Sequence, residues 1–99
     1  MNVAVLGAGT WGTALAKVLD SNSHNVTLWH YKQSFVDYLI SNRVHPKLKC
    51  KISKTIALTS NLDFISNNDI IVIAIPTQSI RHTLKKIGSV NKDVLIVNA

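Results

Sequence analysis

Short apolar runs and amphipathic helical patterns alternate along this chain. The apolar runs are too short for helices, and they fall at residues 3–6, Asn25–Trp29, 55–59, 69–75 and 94–97. Between them, apolar side chains recur at the spacing of a helix with one buried face, over residues 10–19, Gln33–Asn42 and 77–87. Strands that alternate with helices predict an α/β fold with a doubly wound parallel sheet, and the expected spatial order of its strands is 3-2-1-4-5.

The same spacing predicts which side of each helix is buried. In the first helix we expect an apolar face made of Trp11, Ala14, Leu15, Val18 and Leu19. The corresponding positions are Phe35, Val36, Leu39 and Ile40 in the second helix, and Ile80, Leu84 and Ile87 in the third. Residues 43–53 follow no period and contain Pro46, which predicts an exposed loop.

The first strand, the turn after it and the first helix form the most informative stretch. Gly7, Gly9 and Gly12 have the G-x-G-x-x-G spacing between a predicted strand and a predicted helix. In that context the first glycine allows a tight turn, the second lets the backbone approach a pyrophosphate, and the third lets helix and strand pack closely. The helix N-terminus offers free N–H groups and a partial positive charge, and Thr10 can add a hydroxyl donor. A glycine turn that only connects strand and helix is the alternative.

The predicted strand order reverses between the first strand and the strand over residues 69–75. In such sheets a ligand lies across the carboxyl ends of the two strands that flank the reversal. Residues 7–12 and 75–78 are therefore expected on opposite sides of one crevice. Pro76, Thr77 and Gln78 are candidates for cofactor contact, with strand termination and helix capping as the alternative role.

The end of the second strand indicates which dinucleotide is bound. An NAD site usually carries an acidic residue there, about 20 residues beyond the glycines, which binds the adenosine ribose. This chain has Trp-His-Tyr-Lys over residues 29–32, and no carboxylate lies between Asp20 and Asp37. Lys32 is expected to pair with a 2′-phosphate, and Tyr31 to lie against adenine. We therefore expect NADP to be accepted and favoured over NAD, with an exposed lysine at a helix start as the alternative interpretation of Lys32.

Composition narrows the class of protein. The 99 residues are 46% hydrophobic and 16% charged, as in one small soluble domain, and no run approaches the roughly 18 apolar residues of a membrane span. No signal-like segment precedes the first strand, so we expect a cytoplasmic protein without a membrane partner. Cys50 is the only cysteine and the four histidines are scattered, so neither a disulfide nor a metal site is expected.

The chain is basic, with a net charge of +6 from 11 Lys and Arg against five acidic residues. The excess is concentrated at two places, Lys47, Lys49 and Lys51 in one and Arg81, Lys85 and Lys86 in the other. A solvated basic surface accounts for this charge; steering of an anionic cofactor and contact with nucleic acid are the alternatives. A nucleic-acid-binding domain would leave the glycine turn unexplained, so no nucleic-acid partner is expected.

Four segments together resemble a known family. They are GAGTWGTALA over residues 7–16, VTLW over 26–29, Asn42 ahead of a loop, and IAIPTQSIR over 73–81. The chain resembles, over essentially its whole length, the N-terminal cofactor-binding domain of bacterial-type NAD(P)-dependent glycerol-3-phosphate dehydrogenase. The resemblance implies reduction of dihydroxyacetone phosphate to sn-glycerol 3-phosphate with NADH or NADPH, for glycerophospholipid synthesis. By position, it assigns cofactor contacts to Thr10, Trp11, His30, Tyr31 and Lys32.

The resemblance also implies that the catalytic residues lie outside residues 1–99. In the family, the lysine that acts on the substrate carbonyl belongs to a later helical domain, so residues 1–99 are expected to bind cofactor without catalytic residues of their own. The last predicted strand has no helix after it, and we expect these residues to be an incomplete Rossmann-like domain of a longer two-domain chain. A homodimer is among the oligomeric states left open. Where the family usually has Tyr-Leu-Pro-Gly, this chain has Arg-Val-His-Pro-Lys over residues 43–47.

Two other kinds of protein remain as alternatives. A nucleotide-sensing module without catalysis would have the same fold and the same glycine turn. Ketopantoate reductases and 3-hydroxy acid dehydrogenases have similar N-terminal domains, but a different aromatic residue and a different Thr-Ala-Leu-Ala context around the glycines.

Overall fold

The structure is a computed structural model that describes residues 1–63, 65, 68–87 and 94–99, with the backbone alone for Thr77 and Ile87. Strands and helices alternate in this part of the chain. In chain order they are β1 (Asn2–Leu6), α1 (Thr10–Ser21), β2 (Asn25–Trp29), α2 (Gln33–Asn42), β3 (Ala57–Thr59), β4 (Ile70–Ile73), α3 (Thr77–Ile87) and β5 (Leu95–Asn98). The strands form one parallel sheet in the order β3-β2-β1-β4-β5, which confirms the predicted fold class and strand order.

The central strand β1 explains why its apolar run is uninterrupted. Val3 pairs with Val26 on β2 and with Ile70 on β4, so both edges of β1 are hydrogen-bonded. Alternate side chains enter two cores: Val3 belongs to the core under α1 and α2, and Ala4 to the core that Ile80 of α3 covers. A parallel strand covered on both faces needs apolar side chains at every position.

The predicted element bounds are confirmed for β2 and α2, and two strands are shorter than expected. β3 spans Ala57–Thr59 and β4 spans Ile70–Ile73. The hydrogen-bonding ladder nevertheless continues one residue past β4, because the Ala74 N–H donates to the Leu6 carbonyl oxygen at 2.8 Å. No helix within the described residues has the length and apolar character needed to cross a bilayer.

The buried face of α1 matches the predicted one only in part, since Leu15 and Leu19 pack against the core as expected. Trp11 and Val18 are each 57% exposed, whereas Gly12, Thr13 and Ala16 are buried. The residues that face the sheet are small because α1 runs close to the turn that follows β1. The prediction was wrong at Trp11 and Val18 because it ranked side chains by apolar size, while the packing distance selects for small volume.

The other two helices deviate at one position each. Ile40 of α2 is 45% exposed and Leu84 of α3 is 40% exposed, although both were expected inside. Val36 and Leu39 are buried as predicted, and Ile80 packs against the core. The side chain of Ile87 lies outside the described part of the structure.

Residues 43–53 were predicted to be an exposed loop, and residues 43–52 form a short antiparallel hairpin that we call the hairpin loop. The Ile52 N–H donates to the Arg43 carbonyl oxygen at 2.7 Å. His45 and Ile52 are each only 2% exposed. The Arg43 guanidinium donates to the Ile56 carbonyl oxygen at 2.8 Å and so ties the base of the hairpin to the chain beyond it. The other residues of the segment are exposed or half-buried, and because it has no apolar period, the pattern did not predict the burial of His45 and Ile52.

Candidate functional site

The turn between β1 and α1 contains three glycines under different constraints. Gly7 has a φ of +118°, which L side chains rarely adopt, and a Cβ there would collide with the backbone of Ala74. A Cβ on Gly12 would overlap the carbonyl oxygen of Gly7. At Gly9 no atom lies within 4 Å of the place where a Cβ would stand. The first and third glycines are therefore required by the fold, while the second leaves an open backbone surface.

Helix α1 begins at this open surface without a side-chain cap. Gly9 is its N-cap residue, and the first turn contains no acidic residue. The Thr13 N–H donates to the Gly9 carbonyl oxygen at 3.0 Å. The N–H groups ahead of Thr13 have no acceptor within the helix, and they carry the positive end of its dipole. Such a helix start, beside exposed glycine backbone, is suited to a phosphate group.

A cleft of about 500 Å³ opens between this turn, the end of β2 and the hairpin loop. We call it the glycine-turn cleft, and its lining residues are Ala8, Gly9, Thr10, His30, Tyr31, Lys32, Phe35, His45, Pro46 and Lys47. Five predicted site residues meet here: Gly9, Thr10, His30, Tyr31 and Lys32. Two lysines and the N-terminus of α1 give the cleft a positive potential, and its lining contains no carboxylate.

A second cleft, of about 390 Å³, lies between the ends of β2 and β4 and one side of α3. We call it the α3 cleft, and its lining residues are Trp29, Tyr31, Ile75, Pro76, Ser79, His82, Thr83 and Lys86. Tyr31 is 66% exposed and lines both clefts, so they adjoin at its ring. Pro76 is the further predicted residue that lies here.

Among the remaining predicted residues whose side chains the structure describes, Gly7, Trp11, Gly12 and Gln78 line neither cleft. Gly7 and Gly12 are buried in the turn, and Trp11 points its ring into solvent. The side chain of Thr77 lies outside the described part of the chain. No group of three or more His, Cys, Asp or Glu side chains among the described residues is arranged to hold a metal ion.

Sequence reasoning missed several lining residues of both clefts. His45, Pro46 and Lys47 belong to the hairpin loop, whose folding back no pattern indicated. Ser79, His82, Thr83 and Lys86 stand at i, i+3, i+4 and i+7 on α3, the helix that follows β4. Their spacing places them on one side of the helix, but polar residues occur on its other sides as well, so the pattern did not single out a side facing a cleft.

His30 connects the end of β2 to the start of α2. Its Nδ1 accepts a hydrogen bond from the Lys32 N–H at 3.1 Å, and its ring stacks on Tyr31 with 4.7 Å between ring centroids. Burial is the main cause that lowers the pKa of His30 below its ordinary value near 6.5; the nearby Lys32 and His45 lower it further, and a backbone hydrogen bond with Lys32 acts in the opposite direction. The neutral ring therefore persists to lower pH in the folded protein than in the unfolded chain.

This lowered pKa gives a pH dependence of stability. Between pH 6.5 and the lower folded-state pKa, the unfolded chain binds a proton at His30 that the folded chain does not, so the free energy of unfolding decreases as pH falls through that window. His30→Asn retains a side-chain acceptor for the Lys32 N–H but cannot titrate. We expect urea denaturation between pH 5 and 7.5 to show a smaller loss of stability in this variant than in the wild type, and equal slopes would contradict the assignment.

Comparison with known proteins agrees with this geometry. Residues 2–99 match the family model for the N-terminus of NAD-dependent glycerol-3-phosphate dehydrogenase. The chain belongs to this family. A glycerol-3-phosphate dehydrogenase (NAD(P)+) of Thermoanaerobacter sp. strain X514 is 36% identical over 101 residues, covering 99% of this chain and 31% of the relative. One of Fusobacterium nucleatum is 35% identical, covering 98% of this chain and 30% of the relative.

The chain spans about a third of the length of these glycerol-3-phosphate dehydrogenases. Among solved structures, glycerol-3-phosphate dehydrogenase of Coxiella burnetii superposes with a TM-score of 0.90 at 24% identity, covering 99% of this chain and 31% of that one. A UDP-D-ManNAc dehydrogenase of Pyrococcus horikoshii gives 0.85 at 15% identity, covering 99% and 28%. At these identities the superpositions establish the shared Rossmann-like fold.

Proposed function

We propose that this chain binds NAD(P)H as the cofactor-binding part of an enzyme that reduces dihydroxyacetone phosphate to sn-glycerol 3-phosphate, for glycerophospholipid synthesis. The observation that carries the proposal is the open Gly9 backbone at the uncapped start of α1, in a family whose members are glycerol-3-phosphate dehydrogenases. The nicotinamide supplies the hydride, and the residues of this chain bind and orient the dinucleotide.

The residues of the two clefts fit an extended dinucleotide. A Cβ on Gly9 would occupy the space that the pyrophosphate needs, and the glycine leaves it open. The adenosine ribose with its substituents belongs beside Lys32 in the glycine-turn cleft. The adenine belongs near Tyr31, whose exposed ring adjoins the α3 cleft and can stack on a base.

The favoured cofactor in this proposal is NADP. Lys32 lines the glycine-turn cleft at the end of β2, and no carboxylate lines that cleft to accept hydrogen bonds from a free 2′-hydroxyl. A lysine favours the dianionic 2′-phosphate over the hydroxyl through a charge-assisted hydrogen bond. The curated relatives carry names that include both NAD and NADP, so the preference is a property to measure in this chain.

The rest of the reaction is assigned to chain beyond residue 99. We propose a helical substrate domain there, which supplies the lysine that acts on the substrate carbonyl, so residues 1–99 bind cofactor and do not turn over by themselves. We further propose a cytoplasmic location, and a homodimer as the oligomeric state to be tested by light scattering.

Cofactor titration of the full-length protein tests the proposal. We expect saturable calorimetric binding of NADPH, tighter than that of NADH, and oxidation of NADPH when dihydroxyacetone phosphate is added. Lys32→Gln is expected to weaken NADPH binding about tenfold and NADH binding less than twofold, because the lost contact is to the 2′-phosphate.

Lys54→Gln is the matched control, since Lys54 is exposed and lines neither cleft. NADH binding equal to or tighter than NADPH binding would refute the NADP preference. Cofactor binding without turnover of dihydroxyacetone phosphate would instead favour a nucleotide sensor. Turnover by residues 1–99 alone would refute the assignment of catalysis to a later domain.

A further inference from the structure

His45 is a buried polar side chain that joins the hairpin loop to the glycine turn. Its Nδ1 accepts hydrogen bonds from the Lys47 and Leu48 N–H groups, at 3.2 and 3.3 Å. In the neutral ring the proton is therefore on Nε2, which lies 3.0 Å from the carbonyl oxygen of Ala8 and donates to it. The imidazole of His45 is thus hydrogen-bonded both to the bend of the hairpin loop and to Ala8, the residue between the first two glycines.

Packing restricts the position of this ring further. His45 is 2% exposed, and the Phe35 ring meets it edge-on with 5.9 Å between ring centroids and an interplanar angle of 83°. A buried imidazole with both nitrogens in hydrogen bonds and an aromatic contact has little freedom to move. His45 in turn restrains the segment that follows it, because its Nδ1 is hydrogen-bonded to the Lys47 N–H. Pro46 and Lys47 both line the glycine-turn cleft.

Lys47 brings a second cation into the cleft that contains Lys32. The two lysines come from different elements, Lys32 from the start of α2 and Lys47 from the hairpin loop, and both line the same cleft. Lys49 and Lys51, on the same loop, are exposed and do not line it. A site with two lysines and no carboxylate favours a dianion, and the dianion that distinguishes the two dinucleotides is the 2′-phosphate of NADP.

We propose that the hairpin loop determines cofactor specificity, with Lys47 as a second ligand of the 2′-phosphate and His45 as the positioning residue that holds Lys47 in the cleft. This inference rests on the proposed cofactor function. It concerns residues at which this chain departs from the usual sequence of its family, and it assigns a role to a loop that the glycine motif does not include.

The first test compares two lysines of one loop in the full-length protein. Lys47→Gln is expected to raise the NADPH dissociation constant about five- to tenfold and to change that of NADH less than twofold. Lys51→Gln removes the same charge from the same loop outside the cleft, and is expected to change the ratio of the two constants less than twofold. If the two substitutions changed the ratio of the dissociation constants equally, Lys47 would contribute only general surface charge, and the proposal would be overturned.

The second test separates positioning from general stabilisation. His45→Phe replaces the imidazole with an aromatic ring that can still contact Phe35, but it removes the hydrogen bonds to Ala8, Lys47 and Leu48. If His45 acts through Lys47, His45→Phe lowers the preference for NADPH, and adding Lys47→Gln lowers it less than twofold further. A purely structural role would weaken NADPH and NADH binding equally, leaving the preference unchanged and overturning the positioning role.

Different results would contradict the proposed cofactor function and the proposed role of the hairpin loop. If the wild-type protein binds neither dinucleotide, the cofactor function fails and the loop proposal fails with it. If NADPH binds tightly and Lys47→Gln leaves its preference over NADH unchanged, the role of the hairpin loop fails while the cofactor function stands.

Discussion

Gly12→Ala is expected to destabilise the protein by about 3 kcal/mol or more and to abolish cofactor binding. The added Cβ would overlap the carbonyl oxygen of Gly7 and press on the Cβ of Ala74 at 3.3 Å. Alanine in place of glycine inside a helix normally gains up to about 1 kcal/mol. Here the clash outweighs that gain, because a backbone carbonyl cannot rotate away as the end of a flexible side chain can.

Thermal unfolding of the full-length variant measures this effect directly. A destabilisation of this size corresponds to a fall in Tm on the order of 10 °C. An unchanged or higher Tm would show that α1 can move away from the turn at little cost. It would contradict the close packing on which the geometry of the site depends.

Gly9→Ala is expected to give the opposite combination, a protein of nearly wild-type stability that binds cofactor at least about tenfold more weakly. Gly9 has φ −74° and ψ −169°, an extended conformation that alanine adopts freely, and its Cβ would meet no protein atom within 4 Å. The loss of unfolded-state entropy favours alanine by about 0.4–1 kcal/mol, while alanine is the poorer N-cap residue. These effects offset, and the Cβ would stand where we propose that the pyrophosphate approaches the backbone.

Comparing Gly9→Ala with Gly12→Ala separates an effect on cofactor binding from an effect on protein stability. Calorimetric titration should show NADPH and NADH weakened by similar factors in Gly9→Ala, because the pyrophosphate is common to both. Unimpaired binding of either dinucleotide, with Tm unchanged, would show that the pyrophosphate does not bind at the glycine turn. It would leave this turn with a role in folding alone.

Most of the fold followed from local patterns, and the failures depend on packing contacts that local patterns do not contain. The bounds of β2 and α2 and the strand order were predictable because apolar periodicity and alternation of elements are properties of sequence neighbours. The buried face of α1 was not, because its packing distance is fixed by the Gly7 carbonyl. Trp11 is exposed there and Thr13 is buried, the reverse of what apolar size suggests.

The site was predictable on one side only. Gly9, Thr10 and Lys32 follow from the glycine motif and from the end of β2, which belong to consecutive elements of the chain. The opposite wall depends on His45, whose Nε2 bonds to Ala8, a residue distant in the chain. A lone histidine in an irregular segment gives no sequence signal for such a contact, so Lys47 could not be assigned to the cleft before the hairpin loop was seen.

The pairing of β1 with β4 has a consequence during synthesis. Val3 pairs with Ile70, and the turn at Gly7 packs on the backbone of Ala74. At translation rates of about 5–20 residues per second, several seconds separate the emergence of these strands from the ribosome. In that interval β1 can pair with β2, but the turn lacks the backbone on which it packs. If the proposed cofactor binds at this turn, we expect it to stabilise only chains whose interior strand β4 has already docked, and not to act as a template for the nascent chain.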